Sequence, residues 1–183
     1  MKYIIEGGKK LNGEIKIGGN KNSVLPCMAA ALLTEDEVTI ENVPQIKDVE
    51  VLSQILKNLG VAVIAGEDKL TIRARSIESN ALPENLVTRL RASILLVGPL
   101  LARQGKAQSH FPGGDVIGKR NIKVHLDGFE VLGAHLRQED LEFSIEYPGR
   151  KRPSRNSNIF LEEASCTALE NLLMASVLGD GEI

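Results

Sequence analysis

The chain has 183 residues, a net charge of −2 and 43% hydrophobic content, enough for a substantial core in one large domain or one and a half small ones. A near-neutral charge, 3% aromatic residues and no Trp argue against a general nucleic-acid binder or a base-stacking platform, and leave Leu, Ile, Val and Ala to build the core. No apolar run reaches the roughly 18 residues of a membrane span, the N-terminus lacks the apolar stretch of a signal peptide, and Cys27 and Cys166 lack metal-ligand spacing, so reduced thiols in a cytoplasmic protein are expected.

Tyr3-Ile4-Ile5 and Glu14-Ile15-Lys16-Ile17 are expected to form a hairpin around Leu11-Asn12-Gly13. A helical run from Val24 to Leu33 follows, with Pro26 expected in its first turn. Val38-Thr39-Ile40 reads as a strand, Asn42-Val43-Pro44 as a turn, and Asp48 to Leu59 as an amphipathic helix closed by a left-handed Gly60. Val61 to Ile64 and Leu70 to Ile72 read as strands around Gly66-Glu67-Asp68.

The same order then repeats. Leu100-Leu101 ends an apolar run, Lys106 to Phe111 is strand-like and Pro112-Gly113-Gly114 turns. Asn121 to Leu132 is helical and stops at Gly133, before strands at Ala134 to Arg137 and Glu142 to Ile145. The two copies are offset by about 70 residues, and a third begins with the helix Ala168 to Leu178. Each unit reads helix, strand, helix, strand, strand, which places the chain in the α/β (α+β) class. The third unit stops at the start of a strand, so the chain is expected to be truncated.

Four clusters have the residue types for chemistry on an anionic substrate. Gly18-Gly19-Asn20-Lys21-Asn22-Ser23 precedes a helix, where glycines admit a ligand and the helix dipole and Lys21 favour an anion; simple capping by Asn22 or Ser23 explains the same residues. Arg89-Leu90-Arg91 presents two arginines to different sides, of which one suits bidentate phosphate contact and the other solvent. Phe111-Pro112-Gly113-Gly114-Asp115-Val116-Ile117-Gly118-Lys119-Arg120 sets one carboxylate beside two cations in a glycine-rich loop, the composition of a lid with a proton-transfer group or of an ordinary surface turn. Glu163-Ala164-Ser165-Cys166-Thr167 opens another helix, with Ser165 as the expected N-cap. Arg150 to Arg155 reads as a solvated connection, and His110, His125 and His135 show no metal-ligand spacing; His125 stands out only for lying five residues past Arg120. No metal or cofactor is expected.

Together these residues carry a resemblance. Gly-Gly-Asn-Lys-Asn-Ser-Val-Leu-Pro (18–26), Arg-Leu-Arg-Ala-Ser (89–93), Pro-Gly-Gly-Asp-Val-Ile-Gly-Lys-Arg (112–120) and Asp-Gly-Phe-Glu-Val-Leu-Gly-Ala (127–134) stand in the order found in the UDP-N-acetylglucosamine 1-carboxyvinyltransferase family, which the chain resembles from about residue 2 to its end. The resemblance implies an inside-out α/β barrel of βαβαββ units in two similar domains. Residues 1–20 would be strands of the first domain, and 21–183 most of the second. It implies transfer of the enolpyruvyl group of phosphoenolpyruvate to the 3′-hydroxyl of UDP-N-acetylglucosamine, with phosphate released, in peptidoglycan synthesis. By that resemblance Lys21, Asn22 and Arg120 contact phosphoenolpyruvate. Arg91, Arg120, Asn121, Ile122, Lys123, Val124, Glu163, Ala164, Ser165 and Cys166 line the UDP-sugar site.

Two positions depart from the family pattern. Asp115 stands where the family usually has a cysteine that acts as general acid and is alkylated by fosfomycin. A carboxylic acid can deliver that proton if its pKa is raised from about 3.9, but it lacks the soft thiolate nucleophile, so an active, fosfomycin-insensitive enzyme is expected. Ser165-Cys166-Thr167 stands where the family usually reads Ser-Val-Gly, and Thr167 adds bulk beside the nucleotide. The alternatives are a 3-phosphoshikimate 1-carboxyvinyltransferase-like enzyme and a non-catalytic UDP-sugar-binding paralogue. The family's base for the sugar hydroxyl has no counterpart in these 183 residues, so the chain alone is expected to be inactive.

Overall fold

Two three-stranded sheets of identical construction repeat along the chain, as a computed structural model shows for residues 2–113, 122–150, 158–180 and 182. In the first unit, α1 (Lys21–Ala30) leads into β1 (Glu37–Glu41), α2 (Lys47–Asn58), β2 (Ala62–Ala65) and β3 (Lys69–Arg73). The second unit opens with the short α3 (Glu84–Val87), a 3-10 turn at Arg91–Leu96 and α4 (Val97–Gln104). It continues through β4 (Lys106–His110), α5 (Lys123–Val131), β5 (His135–Glu139) and β6 (Glu142–Glu146). A further helix, α6 (Cys166–Ser176), packs against α4 and α5.

The sheets are ordered β1-β3-β2 and β4-β6-β5, with neighbouring strands antiparallel, so the last strand of each unit is central. Alternation decides which face is buried. Ile72 lies between Val38 and Val63, and its repeat equivalent Ile145 lies between Ala107 and Leu136, both with no exposed surface. Thr39 and Thr71 face outward with their hydroxyls 3.4 Å apart. The second sheet gains a parallel bridge from Ala81 to Gln108.

Both amphipathic helices stop by the same device. Gly60 (φ +86°) and Gly133 (φ +90°) take the left-handed conformation. Gly60 N donates to Lys57 O and Val61 N to Leu56 O; Gly133 N donates to Glu130 O and Ala134 N to Phe129 O. This paired 5→2 and 6→1 bonding satisfies carbonyls the helix leaves open and turns the chain into the next strand.

Three expectations need correction. Residues 2–20 form no strand, and Tyr3, Ile4, Ile5, Leu11, Ile15 and Ile17 are exposed. An isolated hairpin with nothing packed on it is marginal in water, and these residues pair with no edge of either sheet. The cap of α1 is Asn20 rather than Asn22 or Ser23: its Oδ1 accepts from Asn22 N at 2.7 Å. Because the helix therefore begins at Lys21, Pro26 falls in the second turn, where its missing N–H removes the bond Asn22 O would accept.

Helix α4 starts inside the core, where its first N–H groups cannot reach water. Val97 N bonds back to Ile94 O, Gly98 N donates to Asn171 Oδ1 at 2.8 Å, and Pro99 has no N–H to satisfy. Gly98 is required here, since a Cβ would lie 2.2 Å from Asn171 O.

Candidate active site

Among the described residues, the expected site residues fall at or beside the starts of helical segments. Lys21 is the first residue of α1, Arg91 the first of the 3-10 turn before α4, and Cys166 the first of α6. These elements pack on one another: α1 touches the 3-10 turn and α6, and α6 touches the 3-10 turn and α4. Repetition of the unit thus puts a polar or basic residue at the head of each leading helix.

Lys21 Nζ lies 2.8 Å from Asp48 Oδ2 in the first turn of α2, with both side chains partly exposed. Asp48 orients the ammonium and offsets its charge; the sequence contains Asp48 in plain view but nothing local links it to Lys21. Asn22 is exposed beside the cap. Of the two glycines, only Gly18 has open space where a Cβ would be; a Cβ on Gly19 would lie 1.7 Å from Asn42 O, so Gly19 serves chain packing.

Arg89 is exposed, Leu90 buried and Arg91 half-buried, so it is Arg89 that faces solvent. The Arg91 charge reaches His125 on α5. Burial first, and Arg91 second, push the His125 pKa down to about 4.

A shallow pocket of about 100 Å³ brings Lys123, Val124 and Glu163 together between the first turn of α5 and the segment leading to α6. Lys123 forms an ion pair with Asp127 one turn along and lies 4.0 Å from Glu162, and the Asp127 carboxylate raises the Lys123 pKa. Ile122 is buried and caps α5 by position, not by a side-chain bond. Ala164 is exposed. Ser165 caps α6 as expected, its Oγ accepting from Ala168 N at 3.2 Å and lying 3.3 Å from Thr167 Oγ1. Cys27 and Cys166 are free and exposed.

Asp115, Arg120 and Asn121 lie outside the described residues, as do positions 151–157 of the basic connection. The approach to Asp115 is described as far as Gly113. Phe111 N donates to Leu141 O and Gly113 N to Val87 O, and a Cβ on Gly113 would lie 1.7 Å from Thr88 O. Gly113 is therefore pressed on the end of α3, a constraint that no local motif reveals. His110, just before it, sits 2.9 Å from Glu142 and 3.6 Å from Glu84. Among the described residues no three His, Cys, Asp or Glu side chains gather to hold a metal ion, and no helix is long and apolar enough to cross a membrane.

A family model, EPSP synthase (3-phosphoshikimate 1-carboxyvinyltransferase), matches residues 5–183. The chain belongs to this family. It is 47% identical over 183 residues to the UDP-N-acetylglucosamine 1-carboxyvinyltransferase of Bradyrhizobium diazoefficiens, with 99% of this chain covered. It is 42% identical over 179 residues to the protein of that name from Borreliella burgdorferi, with 98% covered. The chain spans 41% of the length of each of these relatives. Among solved structures, the enolpyruvyl transferase NikO from Streptomyces tendae superposes with a TM-score of 0.72 at 23% identity, covering 94% of this chain and 39% of its own. EPSP synthase from Acinetobacter baumannii gives a TM-score of 0.70 at 17% identity, covering 91% and 38%. The repeated helix-strand units thus have the enolpyruvyl transferase fold, the α/β architecture expected from the repeat.

Proposed function

We propose that this chain is part of an enolpyruvyl transferase that moves the enolpyruvyl group of phosphoenolpyruvate to the 3′-hydroxyl of UDP-N-acetylglucosamine and releases phosphate, in the cytoplasm, for peptidoglycan synthesis. The observation that carries this reading is the likeness, through nearly the whole chain, to relatives named for that reaction. Lys21 and Asn22, with Arg120, hold the phosphoenolpyruvate anion at the head of α1. Arg91, Arg120 to Val124 and Glu163 to Cys166 receive the UDP-sugar. The position of Lys21, Arg91 and Cys166 at the heads of helical segments supports these roles, since backbone N–H groups and the dipole there favour phosphate.

In the reaction the sugar hydroxyl attacks C2 of phosphoenolpyruvate and gives its proton to a base outside these residues. Asp115 delivers a proton to the methylene carbon, completing a tetrahedral adduct. Loss of phosphate from C2 and of a proton from the new methyl group restores the double bond as an enol ether. Asp115 is fit for the proton delivery only in its neutral form, so its environment in the assembled site must raise its pKa. Because no thiol stands at that position, fosfomycin does not alkylate the enzyme. Residues 21–183 make up most of one domain, and 1–20 pair with strands of the other. The exposure of their apolar side chains supports a partner for them.

Phosphate release from phosphoenolpyruvate and UDP-N-acetylglucosamine by the whole natural polypeptide, with and without fosfomycin, tests the reading. Release that persists with the drug supports it. Release with shikimate 3-phosphate instead would show the other acceptor. UDP-sugar binding without release would favour a non-catalytic protein, a reading that Asp115 and the exposed Thr167 beside Ser165 permit.

A further inference from the structure

Asn171 is a polar side chain in the core of a helix bundle, with no exposed surface. Such a residue is costly unless every donor and acceptor is used. Here all are used. Oδ1 accepts from Gly98 N at 2.8 Å. Nδ2 donates to Ile94 O at 2.8 Å and lies 3.1 Å from His125 Nδ1. The first two contacts fix the amide's orientation, because Gly98 N can only donate and Ile94 O can only accept. The second Nδ2 hydrogen then points to His125 Nδ1, which must be the acceptor, so the ring proton sits on Nε2.

The three partners lie on different pieces of the proposed nucleotide-sugar site. Ile94 belongs to the 3-10 turn that begins with Arg91, and Gly98 to the helix that continues it. His125 is in the first turn of α5, where its own N–H bonds to Ile122 O, beside Lys123 and Val124. Asn171 itself is in α6, which begins directly after Glu163, Ala164 and Ser165. These segments are 30 to 80 residues apart in sequence, and one amide touches all three.

We infer that Asn171, with His125 as its partner, is the positioning residue that sets Arg91, the first turn of α5 and the head of α6 in register for UDP-N-acetylglucosamine. The inference rests on the substrate reading above. It assigns Asn171 no contact with substrate. It makes a rigid three-way joint of the kind that holds binding groups within a fraction of an ångström of their working geometry.

The test uses the whole natural polypeptide and measures Kd for UDP-N-acetylglucosamine, and KM for each substrate, in the parent, N171L, N171D and H125Q. N171L removes all three bonds and is expected to weaken UDP-N-acetylglucosamine at least 10-fold, with KM for phosphoenolpyruvate within 3-fold of the parent. N171D keeps the bond from Gly98 but sets a carboxylate oxygen against Ile94 O, and is expected to weaken UDP-N-acetylglucosamine more than 3-fold with KM for phosphoenolpyruvate within 3-fold of the parent. H125Q cuts only the α5 arm and serves if N171L does not fold; it is expected to raise KM for the UDP-sugar 3- to 10-fold. UDP-sugar affinity within 3-fold of the parent in N171D and H125Q, or equal losses for both substrates, overturns the inference alone. A parent that binds no UDP-N-acetylglucosamine overturns the substrate reading and the inference together.

Discussion

Acidification should destabilise this protein in part through one imidazole. His125 is 2% exposed, and burial and Arg91 hold its folded pKa at about 4, against 6.5 in an unfolded chain. Between those values the unfolded chain carries a proton that the folded chain does not, so stability rises with pH across the window. The contribution of neutral His125 is complete above about pH 7, declines as pH falls through 6.5, and reaches its floor near pH 4. At 1.36 kcal/mol per pH unit the gap amounts to about 3 kcal/mol, a large part of the 5–15 kcal/mol typical of a domain. Carboxylates titrate in the same range, so the comparison is with H125Q, which lacks the titrating ring. Urea unfolding of both proteins at steps from pH 7.5 to 4 is the assay. The stability difference between parent and variant should shift by about 3 kcal/mol against the parent as pH falls. Parallel curves across the range would refute the reasoning, and so would a His125 ring resonance that titrates near pH 6.5.

Other outcomes follow from close contacts and from the proposed chemistry. Gly98→Ala would force a Cβ to 2.2 Å from Asn171 O, a backbone atom of a packed helix, and should cost about 3 kcal/mol or more in thermal unfolding. Phe129→Ala empties a fully buried ring position in α5 and should cost 3–5 kcal/mol by the same assay, as in other aromatic core truncations (about that range). Lys69→Met breaks the 2.7 Å pair with Glu41, yet both side chains are exposed, so the unfolding midpoint should not move. In the whole polypeptide, Asp115→Asn should abolish phosphate release, and Asp115→Cys should introduce time-dependent inactivation by fosfomycin; unchanged behaviour in both would remove Asp115 from the mechanism.

Much of the fold could be read along the chain because its causes are local. The alternation in Lys69 to Arg73, the apolar face of Val49 to Leu59 and the glycines at 60 and 133 each act within a few residues, and their recurrence exposes the repeat. Ser165 as a cap is legible for the same reason. The failures share the opposite cause. The hairpin at 3–17 depends on a packing partner that no local pattern supplies, and moving the cap to Asn20 shifts Pro26 by most of a turn. Gly19, Gly98 and Gly113 look alike in sequence to glycines that serve turns or ligands, yet each is set by a distant carbonyl against its α-carbon. Asp48 and Asn171 are unremarkable as letters because their partners are tens of residues away, and His125 stands out only by its distance from Arg120, not by its bond to Asn171.

The buried start of α4 also bears on the order in which the protein is made. The N–H of Gly98 waits for an acceptor 73 residues later in the chain. As the polypeptide leaves the ribosome, the second sheet can assemble once β6 is out, but α4 keeps a bare donor until α6 emerges and brings Asn171. The repeats therefore do not fold as independent beads. Helix α6 closes α4, and a nascent chain stopped short of α6 should expose the α4 core to chaperones and proteases although every strand of both sheets has already been synthesised.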